Sequence, residues 1–117
     1  MANPLKTKSY DFALRVIGLY KYLVGEPREF VMSKQILPSG TSIGANITEG
    51  NRGQSRLDFI HKLSIALKDA DETEYWLSLL RDSEFITDRQ AASLLADCTE
   101  LQKMLTASIL TAKRNVR

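Results

Sequence analysis

An all-α, up-and-down four-helix bundle is the fold this sequence predicts, and three observations predict it. Apolar residues recur at three- and four-residue spacing through four separate stretches, the mark of helices with one buried face. Gly25 with Pro27, the Gly50–Gly53 segment and residues 84–86 punctuate those stretches, and short connections favour antiparallel neighbours. No stretch shows the strict alternation of a half-buried strand. The chain has 117 residues, 44% hydrophobic and 26% charged. That is enough for one domain with a core of its own, with no need for disulfides or metal.

Residues 1–8 read as a flexible polar lead carrying Lys6 and Lys8, and 9–117 as a single domain. Ser9 is the expected N-cap of a helix over 9–24, with Asp11 in its first turn. Its stripe is Phe12 or Ala13, Val16, Ile17, Tyr20 and Leu23 or Val24; Gly25 and Pro27 stop it. The second helix is expected over 28–49, kinked near Pro38, because Pro removes one backbone donor and crowds the preceding turn. Ile36, Gly40, Ile43 and Ile47 nevertheless keep helical spacing across that proline. Gly40 and Gly44, four apart, let a neighbouring helix approach closely, at a propensity cost of about 1 kcal/mol each. The run from Gln35 to Gly53 is therefore the segment on which the other helices should assemble.

A third helix is expected over 55–83. Ser55 caps it, Asp58 follows in a capping-box-like position, and Leu63, Ala66, Ala70, Thr73, Leu77 and Leu80 form its stripe. Thr87 with Gln90 spells a capping box for a fourth helix over 88–114. Its seam is Ala91, Leu94, Cys98, Leu101, Leu105, Ser108 and Ala112, a heptad pattern suited to packing near 20°.

Two runs resemble the signature of the four-helix-bundle proteins encoded in intervening sequences of 23S ribosomal RNA genes. One is S-G-T-S-I-G-A-N-I-T-E-G, from Ser39 to Gly50; the other is D-F-I-H-K-L-S-I-A-L-K-D-A-D-E-T-E-Y-W-L-S-L-L, from Asp58 to Leu80. Their order and spacing also fit, and the resemblance covers nearly the whole chain. It implies an up-and-down bundle assembled as a ring-forming homopentamer, and no settled biochemical activity. Pro38 departs from the basic or polar residue expected there. A related branch comprises accessory proteins of diversity-generating retroelements, strongly basic bundles that bind nucleic acid and a reverse transcriptase.

Chemistry-bearing residues are sparse. Asp58 and His61 form a D-x-x-H pair on one helix, but di-metal bundles use two such halves, and the chain has a single His. His61 is read as a solvated surface residue; no metal, cofactor or catalytic constellation is expected, which disfavours a metal-dependent bundle enzyme. Cys98, the lone cysteine, reads as a small core residue and fits a reducing compartment. The chain lacks an apolar run long enough to span a membrane and a signal-peptide core, so cytoplasmic residence is expected. The net charge of +2 leaves no overall electrostatic footprint for nucleic acid. Two local groups stand out: Arg52, Arg56 and Lys62 at the start of helix three, and Lys113, Arg114 and Arg117 at the tail. Singly each is solvated surface; multiplied around an oligomer they form a ring able to hold RNA or DNA phosphates. Gly40, Gly44, Asn46, Glu49, Glu74 and Trp76 are the residues expected at helix packing or subunit contacts. The resemblance favours a buried register-setting role for Asn46, Glu49 and Glu74. The expected function is a non-enzymatic homo-oligomeric scaffold for RNA, DNA or protein, the alternative being a retroelement accessory factor.

Overall fold

The computed structural model describes residues 3–115. Four helices follow in order: α1 (Pro4–Val24), α2 (Met32–Asn51), α3 (Arg56–Asp82) and α4 (Asp88–Arg114). Each packs on its sequence neighbour, and α4 returns to α1. The result is a closed antiparallel bundle of 51 × 24 × 20 Å. Among the described residues no helix is long and apolar enough to cross a membrane.

α1 starts five residues before the expected Ser9. The Asn3 side chain accepts from the Lys6 amide at 3.2 Å, and Pro4 takes the first helical position. Pro costs nothing there, since that N–H has no helical partner. Residues 4–8 of the expected lead are thus helical, and Leu5 and Ser9 are buried.

α2 starts at Met32, later than the expected 28, because its cap is a side chain of unusual type. Glu29 is buried, and its carboxylate accepts from the amides of Val31, Met32 and Ser33 at 3.1, 3.0 and 2.8 Å. These are donors that a helix start leaves without intrahelical partners. The intervening turn needs a left-handed residue, Arg28, at φ 54°. α2 then runs uninterrupted through Pro38, whose ring is exposed, and ends two residues beyond the expected Glu49. The helix survives the proline because Ile36, Ser39, Gly40 and Ile43 stay buried on its inner face; packing outweighs one lost hydrogen bond.

α3 and α4 keep their expected spans, with Ser55 accepting from the Asp58 amide and Thr87 and Gln90 completing a reciprocal box. The seam of α4 differs at one place: Ile109 is buried and Ser108 only half-buried. On α3 the buried polar residue is Thr73, whereas Glu74 is exposed. Adjacent residues on a helix point about 100° apart, so the two cannot share the inner face. Thr73 donates its hydroxyl hydrogen to a single acceptor, and its Oγ1 lies 2.7 Å from the Asp69 carbonyl and 3.0 Å from Ser39 Oγ on α2. This pair ties α2 to α3 inside the core.

Cys98 is buried on the α4 seam, its Sγ 3.3 Å from the Ala70 carbonyl. Burial, reinforced by the nearby carboxylates of Glu74, Asp71 and Asp97, pushes its thiol up to about 12. The thiolate, the reactive form, is therefore scarce in the folded protein. Labelling with a thiol-specific reagent at neutral pH should proceed only as fast as the bundle opens, and accelerate with denaturant. Rapid stoichiometric labelling without denaturant would contradict this placement.

Candidate nucleic-acid interface

The up-and-down topology brings four helix ends to one pole: the starts of α1 and α3 and the ends of α2 and α4. Exposed Lys6, Arg52, Arg56, Lys113 and Arg114 sit on those ends. Arg56 and Phe59 of α3 line a surface pocket with Ala107, Ser108, Thr111 and Ala112 of α4. The α3 cations and the tail cations, separate in sequence, thus lie at the same end of the bundle. Arg117 lies outside the described residues.

Lys62 is a weaker member of this group. Its Nζ is 3.0 Å from Glu49 Oε1 across the α2–α3 seam, so its charge is already matched. Asp58 also belongs to the rim formed by Arg52, Gly53 and Lys62. This side of the pole is therefore mixed in sign. His61 is exposed on α3. Among the described residues no group of three or more His, Cys, Asp or Glu side chains could hold a metal ion.

The pole continues into a groove of about 1020 Å³ between α1 and α2. Its α2 wall is built from small residues, Thr41, Gly44, Ala45 and Thr48, one helical turn after another. Lys6 and Tyr10 of α1 and Arg52, the C-cap of α2, also line it. Lys6 falls outside a helix that starts at Ser9, whereas Tyr10 lies inside it; the Asn3-Pro4 cap is the signal that places Lys6 on α1.

The remaining candidate contacts are placed within the chain as follows. Gly40 faces Val16 of α1, where a Cβ would lie 2.7 Å from both valine methyls. Gly44 faces Ser9, with a more tolerant 3.2 Å to its Oγ. Asn46 donates to Asp69 Oδ2 at 2.9 Å, joining α2 to α3 midway along the bundle. Burial pushes the Asp69 carboxyl above its ordinary range, with Glu72 adding to the shift and the Asn46 hydrogen bond opposing it. Glu74 accepts from Gln102 of α4 at 3.2 Å. Trp76 is half-buried, donates to Glu72 at 3.1 Å and meets Tyr75 edge-on, with centroids 5.2 Å apart.

The fold and surface together define a closed antiparallel four-helix bundle with one cation-rich pole. The sequence matches the 23S rRNA-intervening sequence protein family over residues 3–107, and the chain belongs to that family. It is also similar to a solved structure from Bacteroides thetaiotaomicron, described as a protein of unknown function from the S23 ribosomal protein family. The two share 60% identity over 90% of this chain and 97% of the other, with a TM-score of 0.89. A search of curated proteins found no match.

Proposed function

We propose that this protein is a non-enzymatic, cytoplasmic homo-oligomeric scaffold, assembled as a pentamer, whose cation-rich poles hold RNA or DNA. The observation that carries the reading is the gathering of Lys6, Arg52, Arg56, Lys113 and Arg114 at one end of the bundle. A single copy of that pole is a modest charge cluster; a ring multiplies it, and phosphate contacts add through counterion release. Exposed Leu14, Leu57, Leu110 and Tyr75 supply apolar surface for self-association. A retroelement accessory factor would use the same pole and would need a reverse transcriptase as partner; a neighbouring gene for that enzyme is what would favour it.

The test joins light scattering with nucleic-acid titration. Mass should exceed that of one chain, and binding should be weak, sequence-tolerant and salt-dependent. Arg52→Glu combined with Arg56→Glu should lower affinity and flatten the slope of log K against log salt by roughly 0.9 per lost duplex contact. A monomeric mass would overturn the oligomer. Absence of binding to every RNA and DNA probe at low salt would overturn the nucleic-acid reading.

A further inference from the structure

The groove between α1 and α2 differs from the rest of the basic pole in ways that point to a more specific ligand. The rim around Arg52 and Lys62 on the α3 side also contains Glu49 and Asp58. The α1–α2 groove is lined by two cations, Lys6 and Arg52, and by no carboxylate among the described residues. It is thus positive at its pole end and neutral along the rest of its lining, with nothing to repel a polyanion. Tyr10 is 65% exposed there, a large aromatic that the bundle core does not absorb.

Shape narrows the choice further. Packed helices run about 8–10 Å apart, so the furrow between α1 and α2 is too narrow to seat a duplex. Small residues on the α2 wall leave room for a flat ring instead. Aromatic side chains beside a cationic track are the means by which proteins hold unpaired strands: bases stack on the ring while phosphates follow the charges. We infer that the α1–α2 groove binds a single-stranded segment of nucleic acid, with a base stacked on Tyr10 and the phosphates on its pole side held by Lys6 and Arg52. This rests on the reading of the basic pole as a nucleic-acid surface and specifies which form of nucleic acid it takes.

The experiment measures fluorescence anisotropy at low salt with three probes: a short oligo-uridylate, an oligo-thymidylate of equal length and a blunt DNA duplex. Tyr10→Ala should weaken binding of the single strands by roughly five- to a hundredfold, the loss of one stacked base, and leave duplex binding at Arg56 and the tail unchanged. Tyr10→Phe, which keeps the stacking face, should restore wild-type affinity for single strands. The ratio between uridylate and thymidylate affinities then tells an RNA ligand from a DNA one. Tyr10 is exposed, so the variants are expected to fold, which circular dichroism checks. If wild-type protein binds single strands and Tyr10→Ala binds them equally well, the groove inference falls and the basic-pole reading stands. Equal losses for duplex and single strand would also overturn it. If wild-type protein binds none of the three probes, the reading beneath it fails as well. A lower oligomer mass for Tyr10→Ala would show the groove to be a contact between copies of the chain, and would overturn the inference too.

Discussion

Gly40→Leu is expected to abolish the stable fold or reduce its melting temperature sharply. A Cβ alone at this position would sit 2.7 Å from both methyls of Val16. Val16 is fully buried and β-branched, so it has no alternative rotamer to retreat into. Relief therefore requires separation of the α1 and α2 backbones, which also loosens the contacts of Phe12, Ile36 and Ile43. Overpacking of this kind costs about 1–3 kcal/mol and occasionally more, from a total stability of about 5–15 kcal/mol. Gly44→Leu should cost less, because Gly44 is half-buried at the groove and meets the flexible Ser9 hydroxyl. Gly53→Ala should cost less than Gly40→Leu, since its closest neighbour is the movable Asp58 carboxylate, although the Gly50 carbonyl at 3.0 Å must also give a little. Gly18 is the internal control: nothing lies within 4 Å of a Cβ there, and Gly18→Ala should gain roughly 1 kcal/mol of helix propensity. Thermal unfolding by circular dichroism orders the four variants. An unchanged midpoint for Gly40→Leu would refute the close approach of α1 and α2.

The second large effect is expected at Glu29. Its carboxylate satisfies three amides at the start of α2 from a site only 7% exposed. Glu29→Ala leaves those donors without their partner, at about 2–4 kcal/mol if solvent repairs part of the loss. Glu29→Gln keeps an acceptor oxygen and should cost less. A pH dependence goes with it. Burial alone would raise the Glu29 carboxyl, but the hydrogen bonds from Met32, Ser33 and Val31 win, and it sits below its ordinary value. A depressed folded-state value means that the unfolded chain takes up the proton first. The stabilisation is thus fully present above the ordinary glutamate range and is lost as pH falls through the folded-state value. Denaturant midpoints measured from neutral to acid pH should drop for the wild type and drop less for Glu29→Ala. Parallel curves would mean that the carboxylate is not a charged cap.

The helices and their inner faces were legible wherever ordinary cap chemistry met a clear stripe. Ser55, Thr87 and Gln90 mark their helix starts by short-range rules, and the structure follows them. The start of α2 was less legible because Glu29 is not among the usual capping residues; its longer side chain reaches the same amides from outside the helix. At Pro38 local chemistry argues against a helix, but the isoleucine spacing on either side carries the expected helix across it, and the structure has one helix there. Thr73 and Glu74 are neighbours, and periodicity alone blurs which of them faces inward. The basic residues were visible as types, but their convergence required the antiparallel order of helices. Lys6 joins them because α1 begins at Asn3 and Pro4, a turn and a half before the expected Ser9.

The shared pole has a practical side. Since α1 begins and α4 ends at the end that carries Arg52 and Arg56, an affinity tag or fused domain on either terminus would hang over that surface and compete for it. Antiparallel neighbours α1 and α4, bridged by Lys8–Glu100 and Arg15–Asp97, suit circular permutation instead. A chain in which a flexible linker joins the end of α4 to the start of α1, reopened at the Ser83–Phe85 turn, would carry its new termini at the far end. Tethered from there, the bundle would present its cationic pole with only the short linker beside it.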